Sequence, residues 1–351
     1  MKEKLQTSGP IPFSHFMEMA LYHATSGYYS TEKQKTGKQG DFITSVSIGP
    51  CFGTILARRL HNYWLEIGQP PSFQIIEPGA HDGTLAQDIL NAIKLLSEPF
   101  YQAAHYHLIE PSLFLQQKQK TKLAQYHQKK YTSHVSMEPL QSLQGAIISN
   151  ELIDAFPVEL IQLNKGQWHQ QYVSLDEHNQ FIFTNTSIHS TELKNFCQNL
   201  GTAFPENYTT EYNTGITSFV ESASKTLQSG LFLTIDYGFQ QNDYYHPDRT
   251  TGTLQTFHAH QKAENPLRTP GEIDITAHVD FTRLEHTAQS HGFHTPWFGT
   301  QASYLTQHAR KWLLEMETKP DPHNHELIRQ FQTLTHPSML GTRFSVLEMH
   351  K

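Results

Sequence analysis

The chain has 351 residues, a length that fits one large α/β domain with additions or two domains. Its hydrophobic content of 37% and charged content of 17% are ordinary for a globular protein, and they exclude a disordered or fibrous chain. The formal net charge of −7 argues against a nucleic-acid partner, because phosphate binding needs a basic face.

The cysteines and the N-terminal residues bear on where the protein works. Cys51 and Cys197 form neither a C-x-x-C pair nor a zinc-binding spacing, so we expect no disulfide and no structural metal, and a reducing cytoplasm fits best. Residues 1–6 lack the apolar run of a signal peptide and the Arg- and Ser-rich character of a transit peptide. We expect no membrane span, because no segment has the apolar length that a bilayer requires.

The 23 histidines are an unusual number for a chain of this length. They are scattered, and we interpret them as polar residues without a metal. Two H-x-H pairs, at 105–107 and 258–260, keep a metal site open as the alternative, which would need further ligands to converge on one of them.

The N-terminal part of the chain predicts two helices separated by a loop. Apolar residues at 13, 16, 17, 20 and 21 recur with helical spacing and predict a helix over 13–23. The Lys- and Gly-rich stretch 31–40 predicts a loop, and apolar residues between 52 and 64 predict a second helix over 47–65.

The central part predicts a βαβ unit. A short apolar strand over 73–77 leads directly into a glycine-rich turn, and a helix with apolar residues in step follows over 85–96. A second strand is predicted over 105–110, followed by a polar helix over 112–128. Two later strands, 145–151 and 231–238, also end in polar or acidic residues.

Several apolar strands separated by helices predict an α/β fold with a doubly wound, mostly parallel sheet. In such a sheet, ligands bind at the carboxyl ends of the strands. Residues 157–190 predict antiparallel strands instead, and 191–226 predicts helix. The domain prediction therefore has three parts. Residues 1–70 form an N-terminal helical segment, residues 71–156 and 227–351 form the core, and residues 157–226 form an inserted cap or substrate region.

The loop after the first core strand carries the chemistry. Its glycines, Gly79 and Gly83, have the spacing G-x-x-x-G, whereas a dinucleotide site needs G-x-G-x-x-G, so a NAD-linked oxidoreductase is disfavoured. Glu77 ends the strand before the first glycine. A carboxylate there would repel a pyrophosphate, but it suits the ammonium group of an S-adenosylmethionine. Glu110 ends the next strand, where it can accept hydrogen bonds from two ribose hydroxyls. The alternative is that the glycines only form a tight turn and that Glu110 is solvated.

Other segments resemble a known family along nearly the whole chain. Gly40-Asp41-Phe42-Ile43-Thr44-Ser45 with Phe52-Gly53 resembles the G-D-F-x-T element of the MidA-like methyltransferases, the family that includes the mitochondrial complex I assembly methyltransferase. Residues 150–157 resemble its N-E-x-x-D-A-x-P element. Further segments resemble its N-terminal and C-terminal blocks, at 16–22, 27–29, 235–238, 252–254, 270–271 and 274–281.

This resemblance implies a Rossmann-like class I methyltransferase with S-adenosyl-L-methionine as cofactor. It also implies methyl transfer to a protein, with arginine as the target type and a respiratory complex I subunit as a candidate substrate. By the resemblance, Asp41 and Thr44 close over the cofactor from the N-terminal side, and residues of the glycine loop, including His81, bind it.

Four residues are candidates for the acceptor side. Glu151 and Asp154 follow the strand whose end faces the methyl group in this fold class, and they share a face if the segment is a helical turn. A guanidinium needs such acids to orient it. Alternatively, they are only the N-terminal acids of a helix. His278 and Asp280 are candidates for a base or a substrate clamp, or for a structural pair. Asn150 is expected to contact the cofactor or the substrate.

Two positions differ from the family pattern. His81 stands where the family carries a third glycine, and Val46-Ser47 replaces its usual Pro-Glu. These differences motivate an alternative function, a non-catalytic assembly or chaperone factor that keeps the methyltransferase fold. An exposed strand edge in the cap region would allow a homodimer.

Overall fold

The structure is a computed structural model that describes residues 1–30, 43–126, 128–258, 261–262, 265–318 and 322–351. The predicted loop at 31–40, the candidate Asp41 and part of the H-x-H pair at 258–260 lie outside these residues. Within the described ranges, no helix is both long and apolar enough to cross a membrane.

The α-helices alternate with strands through much of the chain. They are α1 (Lys2–Ser8), α2 (Phe13–Tyr22), α3 (Cys51–Glu66), α4 (Thr84–Leu96), α5 (Glu98–Ala103), α6 (Leu113–Lys122), α7 (Thr191–Leu200), α8 (Ile216–Thr226), α9 (Gln241–Tyr244), α10 (Phe281–Ser290), α11 (Gln301–Thr318) and α12 (Pro322–Thr335). Short 3₁₀ helices lie at Tyr28–Ser30, Val46–Ile48, Gln128–Lys130 and Ile153–Ala155.

The strands form separate sheets. They are β1 (Ile11–Pro12), β2 (Phe73–Pro78), β3 (Ala104–Ile109), β4 (Tyr131–His134), β5 (Leu143–Asn150), β6 (Val158–Asn164), β7 (Gln167–Leu175), β8 (Phe181–Thr186), β9 (Thr209–Asn213), β10 (Leu227–Phe239), β11 (Gln255–His258), β12 (Gln261–Lys262), β13 (Asp274–Thr276), β14 (Val279–Asp280), β15 (His294–Thr300) and β16 (Phe344–His350).

The chain divides into two compact units. The first unit comprises Met1–Phe42, Ile153–Thr217 and Phe239–Thr282, and the second comprises Ile43–Leu152, Ser218–Gly238 and Arg283–Lys351. These divisions fall at other positions than the predicted domain boundaries, and the predicted division stays a prediction.

The sheet of the second unit confirms the predicted fold class. Its strands lie in the order β15-β16-β10-β5-β2-β3-β4. The run from β10 to β4 is parallel, and β15 and β16 are antiparallel additions. The chain builds outward from β2 to β3 and β4 on one side, and to β5 and β10 on the other. This reversal is the doubly wound order, and it creates a ligand-binding crevice at the carboxyl ends of β2 and β5.

The parallel strands are apolar on both faces because helices cover a parallel sheet from both sides. Ile75, Ala146, Ile148 and Leu233 belong to one buried core. Gly145 shows how closely β5 approaches β2, since a Cβ at this position would lie 1.9 Å from the carbonyl oxygen of Gln74.

The first unit contains an antiparallel sheet in the order β1-β7-β6-β9, with β8 paired to β7. Helix α2 contributes Phe13 and Phe16 to a core that includes Leu160 and Val173 from the sheet. The prediction of antiparallel strands in 157–190 is confirmed.

Some boundaries were predicted wrongly. The segment 191–226 contains the strand β9 between two helices, because Gly201 and Pro205 end the helical pattern and Thr209-Thr210 pair well with β6. The helix predicted from residue 47 begins at Cys51, after Gly49-Pro50. The helix predicted over 112–128 ends at Lys122.

A buried ion pair ties α3 to β16. The guanidinium of Arg59 donates to both carboxylate oxygens of Glu348, at 3.0 and 2.8 Å, and Tyr304 donates to the same carboxylate at 2.5 Å. Although burial alone raises the pKa of Glu348, the hydrogen bonds from His350 and Arg59 and the charge of Arg59 hold it well below its usual range.

We expect Glu348→Gln to lower the free energy of unfolding by about 3 kcal/mol, because it leaves the buried Arg59 with only the exposed Glu66 as counter-charge. Urea denaturation measures this loss. The double variant Arg59→Met with Glu348→Leu should recover most of it, since no buried charge remains. Glu221→Gln, which breaks the exposed pair with Lys225, is the control and should cause no measurable loss. A Glu348→Gln variant as stable as this control would contradict the prediction.

Candidate functional site

The candidate site begins at the carboxyl end of β2, where Glu77 is buried. Its only hydrogen bond from the described residues comes from the hydroxyl of Tyr106 on β3, at 2.8 Å. Burial raises the pKa of Glu77 to about 8, although the Tyr106 hydrogen bond opposes this effect. The negative charges of Asp82, Asp88 and Glu110 raise it further.

The glycine loop between β2 and α4 is attached to β3. The backbone N–H groups of Gly79 and Ala80 donate to the carbonyl oxygen of Ile109, at 2.9 and 3.2 Å. Gly79 and Gly83 have φ of 72° and 81°, which favours glycine. A Cβ on Gly79 would lie 2.8 Å from Cδ1 of Leu152, so a side chain does not fit there without a shift.

His81 adopts the backbone conformation that the family's glycine would favour. Its φ is 46°, in the left-handed region, and about a third of its side chain is exposed. Its carbonyl oxygen accepts a hydrogen bond from the fully buried Gln119 of α6, at 2.7 Å. Gln119 also accepts one from Ser133 on β4, at 2.7 Å. Two neighbouring elements therefore hold the loop in place.

Asp82 links the end of the loop to the first turn of α4. Its carboxylate accepts from the N–H and hydroxyl of Thr84, at 3.1 and 2.7 Å, and from Nζ of Lys122 at 2.6 Å. Burial alone raises the pKa of Asp82, but hydrogen bonds from His81, Lys122 and Thr84 outweigh burial and keep it well below its usual range. Asp82 is therefore ionised and caps the helix.

Glu110 lies directly after β3, at the same edge of the sheet as Glu77. The register pairs Glu77 with Leu108 and Pro78 with Ile109, so both acids follow the ends of neighbouring parallel strands. Glu110 is buried, which raises its pKa, and Oε1 accepts from the N–H of Ser112 at 3.0 Å.

Asn150 and Glu151 end β5 on the other side of β2. Nδ2 of Asn150 donates to Oε1 of Glu151 at 3.2 Å, while its Oδ1 is buried and accepts no hydrogen bond from the described residues. Oε1 of Glu151 also accepts from the N–H of Ser45 at 3.1 Å. Burial raises the pKa of Glu151 to about 8, although these two hydrogen bonds lower it.

The segment that carries Glu151 and Asp154 is not one helical turn, as their proposed shared face requires. Glu151 has a φ of 47°, in the left-handed region, and the 3₁₀ helix begins only at Ile153. The reason is a tertiary contact: the N–H of Leu152 donates to the Asp236 carboxylate at 3.1 Å, so the chain turns instead of continuing as a helix.

Thr44 and Ser47 cap each other's backbone. The N–H of Ser47 donates to the Thr44 hydroxyl oxygen and the N–H of Thr44 to the Ser47 hydroxyl oxygen, each at 3.0 Å. This reciprocal pattern is a capping box in which Ser47 takes the place that glutamate usually fills. Ser47, which differs from the family's usual glutamate, therefore stabilises the turn that begins at Thr44.

The remaining candidates lie in the first unit. The carbonyl oxygen of Asp154 accepts from the N–H of Ala277 at 2.8 Å, so the strand ending near His278 is joined to the Asp154 backbone. The N–H of His278 donates to the Thr253 hydroxyl at 3.0 Å. Asp280 is buried and accepts from the hydroxyl of Tyr245 at 2.9 Å.

Sequence analysis missed several residues that support the site, notably Tyr106, Gln119 and Glu211. Glu211 is buried and accepts from the N–H groups of Thr253 and Leu254, at 2.8 and 2.9 Å. The register that pairs Ile75 with Tyr106 puts Tyr106 on the face of Glu77, and the sequence carries no signal for that register. In the part of the chain that the structure describes, no group of three His, Cys, Asp or Glu residues is placed to hold a metal ion.

Comparison with known proteins identifies the family of the chain. A family model described as "Putative S-adenosyl-L-methionine-dependent methyltransferase" matches residues 55–299, more than half of the chain. The chain belongs to this methyltransferase family. It is an S-adenosylmethionine-dependent methyltransferase, as predicted, and the assembly-factor alternative is disfavoured.

Relatives match nearly the whole methyltransferase. A Drosophila melanogaster protein named as a mitochondrial NDUFAF7-homologous protein arginine methyltransferase is 28% identical, over 99% of this chain and 83% of its own length. The human NDUFAF7 protein is 26% identical, over 97% and 80%. A crystal structure from Burkholderia thailandensis, described as a "likely methyl transferase" bound to S-adenosyl-homocysteine, is 28% identical with a TM-score of 0.88, over 99% and 90%.

The second unit of the methyltransferase offers groups that fit S-adenosylmethionine. The buried acids Glu77 and Glu110 flank the glycine loop, and the buried Oδ1 of Asn150 accepts no hydrogen bond from the described residues. Thr44, His81 and Gly83 lie in the same unit. The role of each of these residues stays a prediction.

We expect His81→Gly to change the free energy of unfolding by less than about 1 kcal/mol, because glycine adopts the left-handed conformation without strain. His81→Val should lower it by about 1–2 kcal/mol, because a β-branched residue is disfavoured at positive φ. Chemical denaturation of both variants checks this order, and equal stability of the two would contradict it.

Proposed function

We propose that this methyltransferase transfers the methyl group to an arginine side chain of a protein. The observation that carries the proposal is the similarity, over nearly the whole chain, to relatives named protein arginine methyltransferases. The carboxyl group of Glu151 after β5 supports it, since a guanidinium requires acids that orient it.

The cofactor site of this proposal lies at the carboxyl ends of β2, β3 and β5. S-adenosylmethionine supplies, when bound, a methyl group on a positively charged sulfur. Glu77 would hold its ammonium group and Glu110 its ribose hydroxyls, while the positive φ of Gly79 and Gly83 shapes the loop between them. Oδ1 of Asn150 is free to accept a further hydrogen bond.

Asp41 and Thr44 are proposed to close over the cofactor. Two observations support Thr44: it begins the turn that its capping box with Ser47 stabilises, and the next residue, Ser45, donates to the candidate acid Glu151. His81 is proposed as a loop residue that contributes its backbone, because that backbone already has the glycine-like conformation.

Glu151 and Asp154 are proposed to orient the acceptor, with His278 and Asp280 as a base or clamp. The chain's task in such a displacement is alignment and electrostatic stabilisation. Glu151 is held by the N–H of Ser45 and by Asn150. Because burial raises its pKa to about 8, it must lose a proton before it can pair with a guanidinium.

Partner and location complete the proposal. A respiratory complex I subunit is the proposed substrate, since the human relative is named NDUFAF7, mitochondrial. The location that we predict from the sequence is the cytoplasm, whereas the names of the relatives favour the mitochondrion.

A homodimer through β8 is proposed because, within the described strands, β8 is paired on one side only. Light scattering tests that state.

Glu151→Gln and Asp154→Asn should each lower kcat/KM for methyl transfer about a hundredfold, because the acceptor loses an orienting charge. The affinity for S-adenosyl-homocysteine should change little in Asp154→Asn. Glu177→Gln, on an exposed turn, is the control. Unchanged transfer in both acid variants would show that these carboxylates were assigned wrongly.

Methylation should appear on arginine when the protein is incubated with methyl-labelled S-adenosylmethionine and isolated complex I subunits. Peptide mass spectrometry locates the label. Label found only on lysine or on nucleic acid would overturn the proposed acceptor, while leaving the methyltransferase assignment intact.

A further inference from the structure

Glu77 and Tyr106 form a buried pair that the cofactor site does not need for its shape. Glu77 is 5% exposed and Tyr106 is fully buried, and the hydroxyl donates to Oε2 of the carboxyl group at 2.8 Å. Among the described residues, no Lys, Arg or His forms an ion pair with Glu77. A carboxyl group placed in this way receives one hydrogen bond and no counter-charge.

The charged groups around Glu77 come from several elements, and those that act on it directly are acidic. Asp82 belongs to the glycine loop, Asp88 to α4, and Glu110 follows β3; all three disfavour a negative charge on Glu77. Nζ of Lys122, on α6, forms an ion pair with the carboxylate of Asp82 at 2.6 Å. These surroundings therefore favour a neutral carboxyl group at Glu77 in the free protein.

We propose that binding of S-adenosylmethionine or S-adenosyl-homocysteine releases a proton from Glu77, and that Tyr106 is the positioning residue that holds the carboxyl group for this exchange. This inference rests on the proposed cofactor site. Affinity for the cofactor then depends on pH, and a rise in pH around neutrality favours the loaded enzyme.

The proton balance is simple. The O–H bond of the neutral Glu77 carboxyl breaks and its proton goes to solvent. The ammonium group of the ligand keeps its three protons and donates a hydrogen bond to the carboxylate. No electrons are transferred and no other reactant is needed.

The sign of the pH dependence follows from the two states. In the free protein, burial raises the pKa of Glu77 to about 8. In the complex, the adjacent ammonium group lowers the pKa of Glu77. Affinity therefore rises with pH until Glu77 is ionised in the free protein, and it falls about tenfold for each unit below that pKa.

The role of Tyr106 follows from its hydrogen bond, which lowers the pKa of Glu77. Tyr106→Phe keeps the ring and removes the hydroxyl, so the carboxyl group should be harder to ionise. If the pKa of Glu77 rises by about one unit, affinity falls about tenfold at pH 6.5 and about threefold at pH 8.5.

Isothermal titration calorimetry of the full chain with S-adenosyl-homocysteine tests the proposal. Titrations at pH 7.5 in two buffers of different ionisation enthalpy count the protons released. At this pH Asp88 is already ionised, because burial raises its pKa only to about 6. Burial also raises the pKa of Glu151 to about 8, so the protons assigned to Glu77 are the difference between the wild type and Glu77→Gln. We expect this difference to lie between about half a proton and one proton, and Glu77→Gln to bind more weakly.

The same titrations between pH 6.5 and 8.5 test Tyr106. Tyr106→Phe should show the affinity loss that shrinks as pH rises. Tyr101→Phe is the matched control, since its ring is partly buried on α5 and its hydroxyl makes no hydrogen bond to the described residues. It should bind as the wild type does at every pH.

The outcomes separate the inference from the site on which it rests. Wild-type binding without proton release, together with weak binding by Glu77→Gln, overturns the inference and keeps the site. Glu77→Gln that binds like the wild type overturns both. A Tyr106→Phe loss that is equal at all pH values overturns the role of Tyr106. A wild-type count of zero protons overturns the inference without any variant, so the test holds even if a variant fails to fold.

Discussion

The attachment of the glycine loop to its neighbours is the interaction on which the site depends. The loop contains residues with positive φ, and without support it would adopt many conformations. The carbonyl oxygen of Ile109 binds two of its N–H groups, and Gln119 binds the carbonyl oxygen of His81. Because β3 and α6 supply these bonds, the first βαβ unit holds the loop, and the acids Glu77 and Glu110 keep their places at its edges.

Much of this fold could be predicted from the sequence because parallel core strands leave a strong pattern. An apolar run such as 73–77, ending in an acid and followed by a glycine, has few secondary-structure interpretations other than a buried strand. The strand β9 was missed for the opposite reason: Thr209-Thr210-Glu211-Tyr212-Asn213 is a mixed polar segment whose pairing with β6 supplies the order. Local residues cannot reveal a partner fifty residues earlier in the chain.

The site shows the same limit at the level of side chains. Glu77 and Glu110 could be proposed together because both follow strands, and neighbouring strands in a parallel sheet end at one edge. Tyr106 and Gln119 act through hydrogen bonds across elements, and their residue types in the sequence do not reveal such contacts. Glu151 and Asp154 do not share one helical turn, because a tertiary bond, from Leu152 to Asp236, decides the path of the chain there.

The two differences from the family pattern take on another meaning in the structure. Each affects a position where the backbone conformation matters more than the side chain. His81 accepts the left-handed conformation with its carbonyl oxygen bound by Gln119, and Ser47 completes with its hydroxyl the capping box for Thr44. His81 replaces a glycine and Ser47 replaces a glutamate of the family pattern, but Glu77, Gly79, Gly83 and Glu110 at the edge of the sheet are all present. Both are therefore compatible with a site that binds the cofactor, and a loss of activity is not required to explain them.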